Sequence, residues 1–164
     1  QGFIRLAGDE LGQPHPTGRT EDPWQPILPV PDDVPQLTRA VIDRFAPEGH
    51  AFTTGWRYRD SRGQLLGCVV RYDRPANGDE AAKQVKPFTY CAGPDGRREW
   101  RCKAFPEPRP LYCLDQLAAR PDAPVLVVEG EKAADAAIER FADRPASSRS
   151  RLLTSRVWSR IMPQ

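Results

Sequence analysis

The sequence has no cysteines in C-x-x-C spacing, only two histidines, no glycine-rich turn and no long apolar run. Cys68, Cys91, Cys102 and Cys113 each stand alone, while His15 and His50 lie in proline-rich or loop-like stretches. Metal-ligand spacing is therefore missing and no zinc is expected; reduced, partly buried thiols are the ordinary reading of such cysteines. No segment approaches the roughly 18 apolar residues that a membrane span requires, and the start "QGFIRLAGDELGQ" lacks a basic-then-apolar signal pattern. A cytoplasmic protein with no membrane partner is expected, and the start on Gln suggests a chain cut from something longer. One sign of charge also runs out: no acidic residue follows Asp143, although the net charge of the 164 residues is only +2. A total that small does not argue for nucleic acid, so the uneven distribution carries the argument.

Proline is abundant instead. Eighteen prolines crowd the first part of the chain and "FPEPRPLY", which favours extended and turning backbone over helix. Residues 1–50 read as an extended, proline-rich lead-in without a core, carrying a short helix over "QLTRAVIDRF" with Leu37, Val41 and Phe45 on one face. Residues 51–110 change period. "FTTGWRYRD", the turn "SRGQ" and "LLGCVVRYD" alternate as a hairpin, and "KPFTYC", "AGPDG" and "RREWRCK" repeat the plan around Asp95-Gly96. An antiparallel β meander follows, with "RPANGDEAAKQ" as a polar, mobile loop. Residues 111–164 begin with a short helix in "LDQLAARP" and finish in a basic, Arg/Ser-rich tail.

Between those two lies "VLVVEGEKAADAAIERF". Val125 to Val128 show no polar alternation, the pattern of a parallel strand covered on both faces. Ala134, Ala137, Ile138 and Phe141 follow at helical spacing and give the next segment one apolar face. Glu129 then sits at the carboxyl end of a strand, beside a helix start, where open α/β sheets build their sites, and Gly130 permits the tight exit. A plainer account stands beside this one: Glu129 and Glu131 complement the helix dipole, a service of about 0.3–1 kcal/mol. A dinucleotide-binding strand is set aside, because only Gly130 follows the strand.

"VLVVEGEKAADAA" resembles the first strand and helix of a TOPRIM domain, the module shared by bacterial-type primases, topoisomerases and phage primase-helicases. Upstream, "WRYRDSRGQLLGCVVRYD", "KPFTYC", "REW" and "RPLYCLDQLAARPDAPVLVVEGEK" resemble, in order and spacing, the region preceding TOPRIM in phage and plasmid primases, so that the likeness covers residues 52–141. It implies an α+β chain, an antiparallel meander followed by the first βα unit of an α/β TOPRIM domain. It also implies magnesium-dependent nucleotidyl transfer for RNA primer synthesis, with Glu129 as general acid or base close to the metal, and Gly130, Glu131, Lys132 and Arg109 as its phosphate environment. Single-stranded DNA template, nucleoside triphosphates and a replicative helicase domain, in cis or in trans, are the implied partners. The family also carries an Asp-x-Asp motif on a later strand, and these residues contain none after Glu129. Asp135 and Asp143 are not in position to replace it. The chain is accordingly expected to be a fragment, or one whose tail diverges after residue 143, and inactive alone.

The meander interleaves aromatic and basic residues, as binders of single strands do. Trp56, Tyr58, Arg71, Trp100, Arg101 and Lys103 are the candidates for contact with nucleic acid, against the plain reading in which the rings are core and the arginines a solvated face. The same plainness applies to Arg109, which can pack on Tyr112. The alternative function is a non-catalytic nucleic-acid-binding or helicase-recruiting module that retains the TOPRIM shell without its metal site.

Overall fold

The structure is a computed structural model, and it describes residues 22–76, 82–141 and 151–154. The architecture is mixed α and β, with an antiparallel meander in an open sheet. Strand β1 (Gln25–Pro26) and helix α1 (Arg39–Arg44) precede the meander strands β2 (Ala51–Arg59), β3 (Leu65–Arg74), β4 (Ala82–Ala92) and β5 (Arg98–Arg101). Helix α2 (Leu114–Ala118), strand β6 (Val125–Val128), helix α3 (Glu131–Phe141) and strand β7 (Arg151–Thr154) complete the order. Both hairpins form where the turn residues put them: Gly63 donates its backbone N–H to the Asp60 carbonyl, and Gly96 does the same to Gly93. Strand β4 starts earlier than the sequence suggests, taking Ala82 to Gln84 out of the expected loop. Arg74 closes β3, and 77–81 of that loop lie outside the described residues.

Side-chain alternation gives the sheet two buried faces. On one, Val70, Tyr72, Phe88, Tyr90 and Trp100 pack with Val30 and Ile42. On the other, Trp56, Tyr58 and Val69 pack with Phe105. Helix α1 forms where expected, with the Thr38 hydroxyl accepting from the Val41 N–H at 3.4 Å as its cap. Gly67 marks the closest approach on the second face: a Cβ there would lie 2.6 Å from the Phe88 carbonyl oxygen and 2.7 Å from the Phe105 ring.

Two expectations need correction. The proline-rich lead-in does contribute core: Trp24 and Val30 are buried, β1 pairs with β4, and the Val30 N–H donates to the Leu65 carbonyl at 2.7 Å. Proline limits regular pairing to two residues, but it leaves the large side chains between the prolines free to pack. Strand β6 is not covered on both faces. It pairs in parallel with β7, yet Val125 and Val127 remain 40% and 45% exposed while Leu126 and Val128 are half-buried. Among the described residues this sheet has two strands, too few neighbours to bury a fully apolar strand. No helix among the described residues is long and apolar enough to cross a membrane.

Candidate functional site

The β6-to-α3 turn is built by its glycine. Gly130 adopts φ +76°, a left-handed conformation that costs a side-chain-bearing residue energy, and its carbonyl accepts the first helical hydrogen bond from Ala134. Glu129 leaves the strand at this bend with its side chain exposed. It lines a cleft of about 470 Å³ between the helix start and the second face of the meander. Gly130, Glu131 and Lys132 contribute from the helix side, Trp56, Arg71, Lys83 and Val85 from the sheet. Five of the residues expected near Glu129 or on the meander therefore meet it there: Gly130, Glu131, Lys132, Arg71 and Trp56.

The electrostatics of the cleft are mixed and open to an anion. Arg71 pairs with Asp73, Nη2 to Oδ1 at 2.8 Å, and its guanidinium holds the Asp73 carboxyl below the ordinary carboxylate range, helped by the Thr53 hydroxyl and, less, by the charge of Lys132. Among the described residues neither Lys83 nor Lys132 forms an ion pair, and Glu129 forms none either. Two lysines and a partly committed arginine around one carboxylate suit a phosphate-bearing ligand whose reacting hydroxyl lies near Glu129.

Glu131 and Asp135 hold the helix rather than the ligand. The buried Glu131 accepts from the Tyr58 hydroxyl at 2.7 Å. Asp135 accepts twice, from Trp56 Nε1 at 2.6 Å and from the Tyr112 hydroxyl at 2.7 Å. Burial and that bond to Asp135 together push the Tyr112 hydroxyl well above its ordinary value. With those two carboxylates engaged, the described residues contain no group of three His, Cys, Asp or Glu side chains able to hold a metal ion. Glu129 alone does not make a magnesium site, which draws on several oxygen ligands, so the donor set present does not fit the metal that the resemblance implies.

Tyr58, Trp100, Arg101, Lys103 and Arg109 lie outside that cleft, and the aromatic candidates, Trp56 included, are corrected by their burial. Trp56, Tyr58 and Trp100 are 6%, 7% and 5% exposed, and Trp100 Nε1 donates to the Pro35 carbonyl at 2.7 Å. Their rings are covered by protein and offer no face for a base to stack on. Arg101 pairs with Glu99 and lies 4.4 Å over the Trp24 ring, while Lys103 pairs with Asp22 at 3.2 Å. Arg109 pairs with Glu107 at an exposed bend and is not part of the Glu129 cleft. Sequence reading missed Lys83, assigned to the loop, although its spacing of two from Val85 placed it on one strand face. It also missed the anchoring role of Glu131 and Asp135, whose four-residue spacing puts them on one side of a helix.

Comparison of the chain with family models, with curated proteins and with solved structures gives no match.

Proposed function

We propose that this chain is part of a TOPRIM-type DNA primase or primase-helicase of phage or plasmid kind, working in RNA primer synthesis on single-stranded DNA. The observation that supports this reading is Glu129: a carboxylate without an ion pair among the described residues, at the end of a parallel strand and opening into a cleft that also presents Arg71, Lys83 and Lys132. In this reading the three cations hold the phosphates of a nucleoside triphosphate. Glu129 takes the proton from the attacking sugar hydroxyl, and Gly130 sets the turn that points it there. Phosphoryl transfer of this class uses magnesium, whose ligands would have to come from carboxylates other than those described. The test is primer synthesis from nucleoside triphosphates on single-stranded template by the primase that carries this unit. Glu129→Gln keeps the shape and removes the base, and a fall of about 100-fold or more is expected. Undiminished synthesis by that variant overturns the assignment.

A second reading has its own support. With Glu131 and Asp135 held by Tyr58, Trp56 and Tyr112, α3 is braced against the meander and those carboxylates are committed to it, as suits a non-catalytic nucleic-acid-binding or helicase-recruiting module. Retention of template binding together with unchanged synthesis in Glu129→Gln would favour it.

A further inference from the structure

The face of β2 away from Glu129 carries a groove that neither reading uses. It has a volume of about 370 Å³, within the range of small-molecule sites. Its walls are apolar, with Phe52, Leu65 and Val70 among them, and Arg57 and Arg59 stand at the β2 side. Gly55 forms its bed.

Gly55 is not required there by the backbone. Its φ is not left-handed, and a Cβ would sit 3.6 Å from the Val69 carbonyl oxygen and 3.7 Å from Phe52 and Val70, ordinary contact distances. A glycine inside a strand weakens it and commonly marks a place where something approaches the backbone closely. Here its missing side chain leaves the groove open between Phe52 and Val70.

The charges at the rim are available. Neither Arg57 nor Arg59 has a carboxylate partner among the described residues. Arg59 Nη1 donates to the Gly63 carbonyl at 2.6 Å, which fixes its guanidinium and leaves further donors for a ligand. Both charges are felt at Cys68 in the groove wall, where they oppose the burial that raises its thiol to about 11. An apolar bed with Phe52, Trp56 and Trp100 in its walls and two cations at one side matches a planar ring carrying a phosphate.

We propose that the Gly55 groove binds one nucleotide unit, its base lying over Gly55 beside Phe52 and its phosphate held by Arg57 and Arg59. The unit comes either from a free nucleotide or from a single strand. The site shares Trp56 with the Glu129 cleft, is otherwise lined by different residues, and is tested without any catalysis.

The experiment is titration of the full chain with a labelled oligothymidylate of about ten nucleotides, with competition by thymidine monophosphate and by inorganic phosphate. Gly55→Val fills the bed and keeps every charge, including those of the basic tail, and should weaken binding about tenfold or more. Gly55→Ala, whose added atom the structure accommodates, should weaken it less, and it serves as the folded control if the valine variant is unstable. Arg57→Gln should weaken binding several-fold, whereas Arg98→Gln, an equal loss of charge at an exposed position outside the groove, should not. Competition by the mononucleotide assigns the site to a free nucleotide, and competition by oligonucleotides alone assigns it to a strand; both support the proposal. Wild-type binding by both Gly55 variants overturns it. So does equal weakening by Arg57→Gln and Arg98→Gln, equal competition by inorganic phosphate and the mononucleotide, or displacement of the oligonucleotide by an acidic, apolar peptide.

Discussion

Asp135 accepts hydrogen bonds from two aromatic donors on two different segments, Trp56 in β2 and Tyr112 after the proline-rich connector. Removing the shared acceptor strands a buried indole N–H and a phenol at once, and each buried group left unpaired costs about 1–3 kcal/mol. Asp135→Ala should therefore lower stability by about 2–4 kcal/mol in urea unfolding, and Tyr58→Phe, which deprives the buried Glu131 of its donor, by about 1–3 kcal/mol. A loss under half a kilocalorie per mole in both variants would mean that these bonds do not brace the helix. At this scale the residue types were legible and their partners were not. Trp56, Tyr58 and Trp100 carry the composition of a base-stacking surface, but a small sheet with two covered faces uses its aromatics as core, and their polar tips then need acceptors inside the protein. For Trp56 and Tyr58 those acceptors are the α3 carboxylates Asp135 and Glu131, the second of which a reading of the sequence places beside a ligand; for Trp100 the acceptor is the Pro35 carbonyl.

At the scale of elements, β1 shows how a two-residue strand can matter more than its length. Trp24, next to it, packs so close to Gly93 that a Cβ on that glycine would lie 2.8 Å from the indole, and the Arg101 guanidinium covers the ring at 4.4 Å. The indole thus seals the end of the β4–β5 hairpin. Trp24→Ala should cost about 3 kcal/mol and speed amide exchange in β4 and β5 more than in α3; equal acceleration throughout would contradict a local seal. The meander strands, both hairpin turns, α1, α2 and the β6–α3 step were all legible, since each is signalled by local period or turn chemistry. The role of 22–30 was not, because proline density reports on backbone pairing and says nothing about where a tryptophan goes. Nor was the open face of β6 legible, since four aliphatic residues look the same whether or not a layer covers them.

For the molecule as a whole, the two buried faces set the response to alkali. Burial pushes the Tyr72 hydroxyl from 10.0 to about 12, the Cys113 thiol from 9.0 to about 12 and the Cys68 thiol to about 11. A folded-state value above the unfolded one means that the folded chain holds the proton longer, so this stabilisation is complete below the unfolded values and is lost as pH rises through the folded ones. Urea midpoints should thus be insensitive to these groups up to about pH 9 and fall steadily from there towards pH 12. Native thiols should react slowly at pH 8 and all four should react once the chain is unfolded. A flat midpoint to pH 12, or fast native labelling, would contradict the burial on which both statements rest.

The order of strands and helices, the hairpin turns and the left-handed glycine before α3 follow from residues within a few positions of one another, which is why they can be read along the chain. Whether an aromatic faces a ligand or the core, whether a carboxylate is free or bonded, and which cations share a cleft depend on segments far apart in sequence meeting in space. Trp56 and Asp135 are 79 residues apart. Burial and pairing of that kind are properties of the packed chain, and here they left Glu129 open to a ligand and turned Glu131 and Asp135 inward.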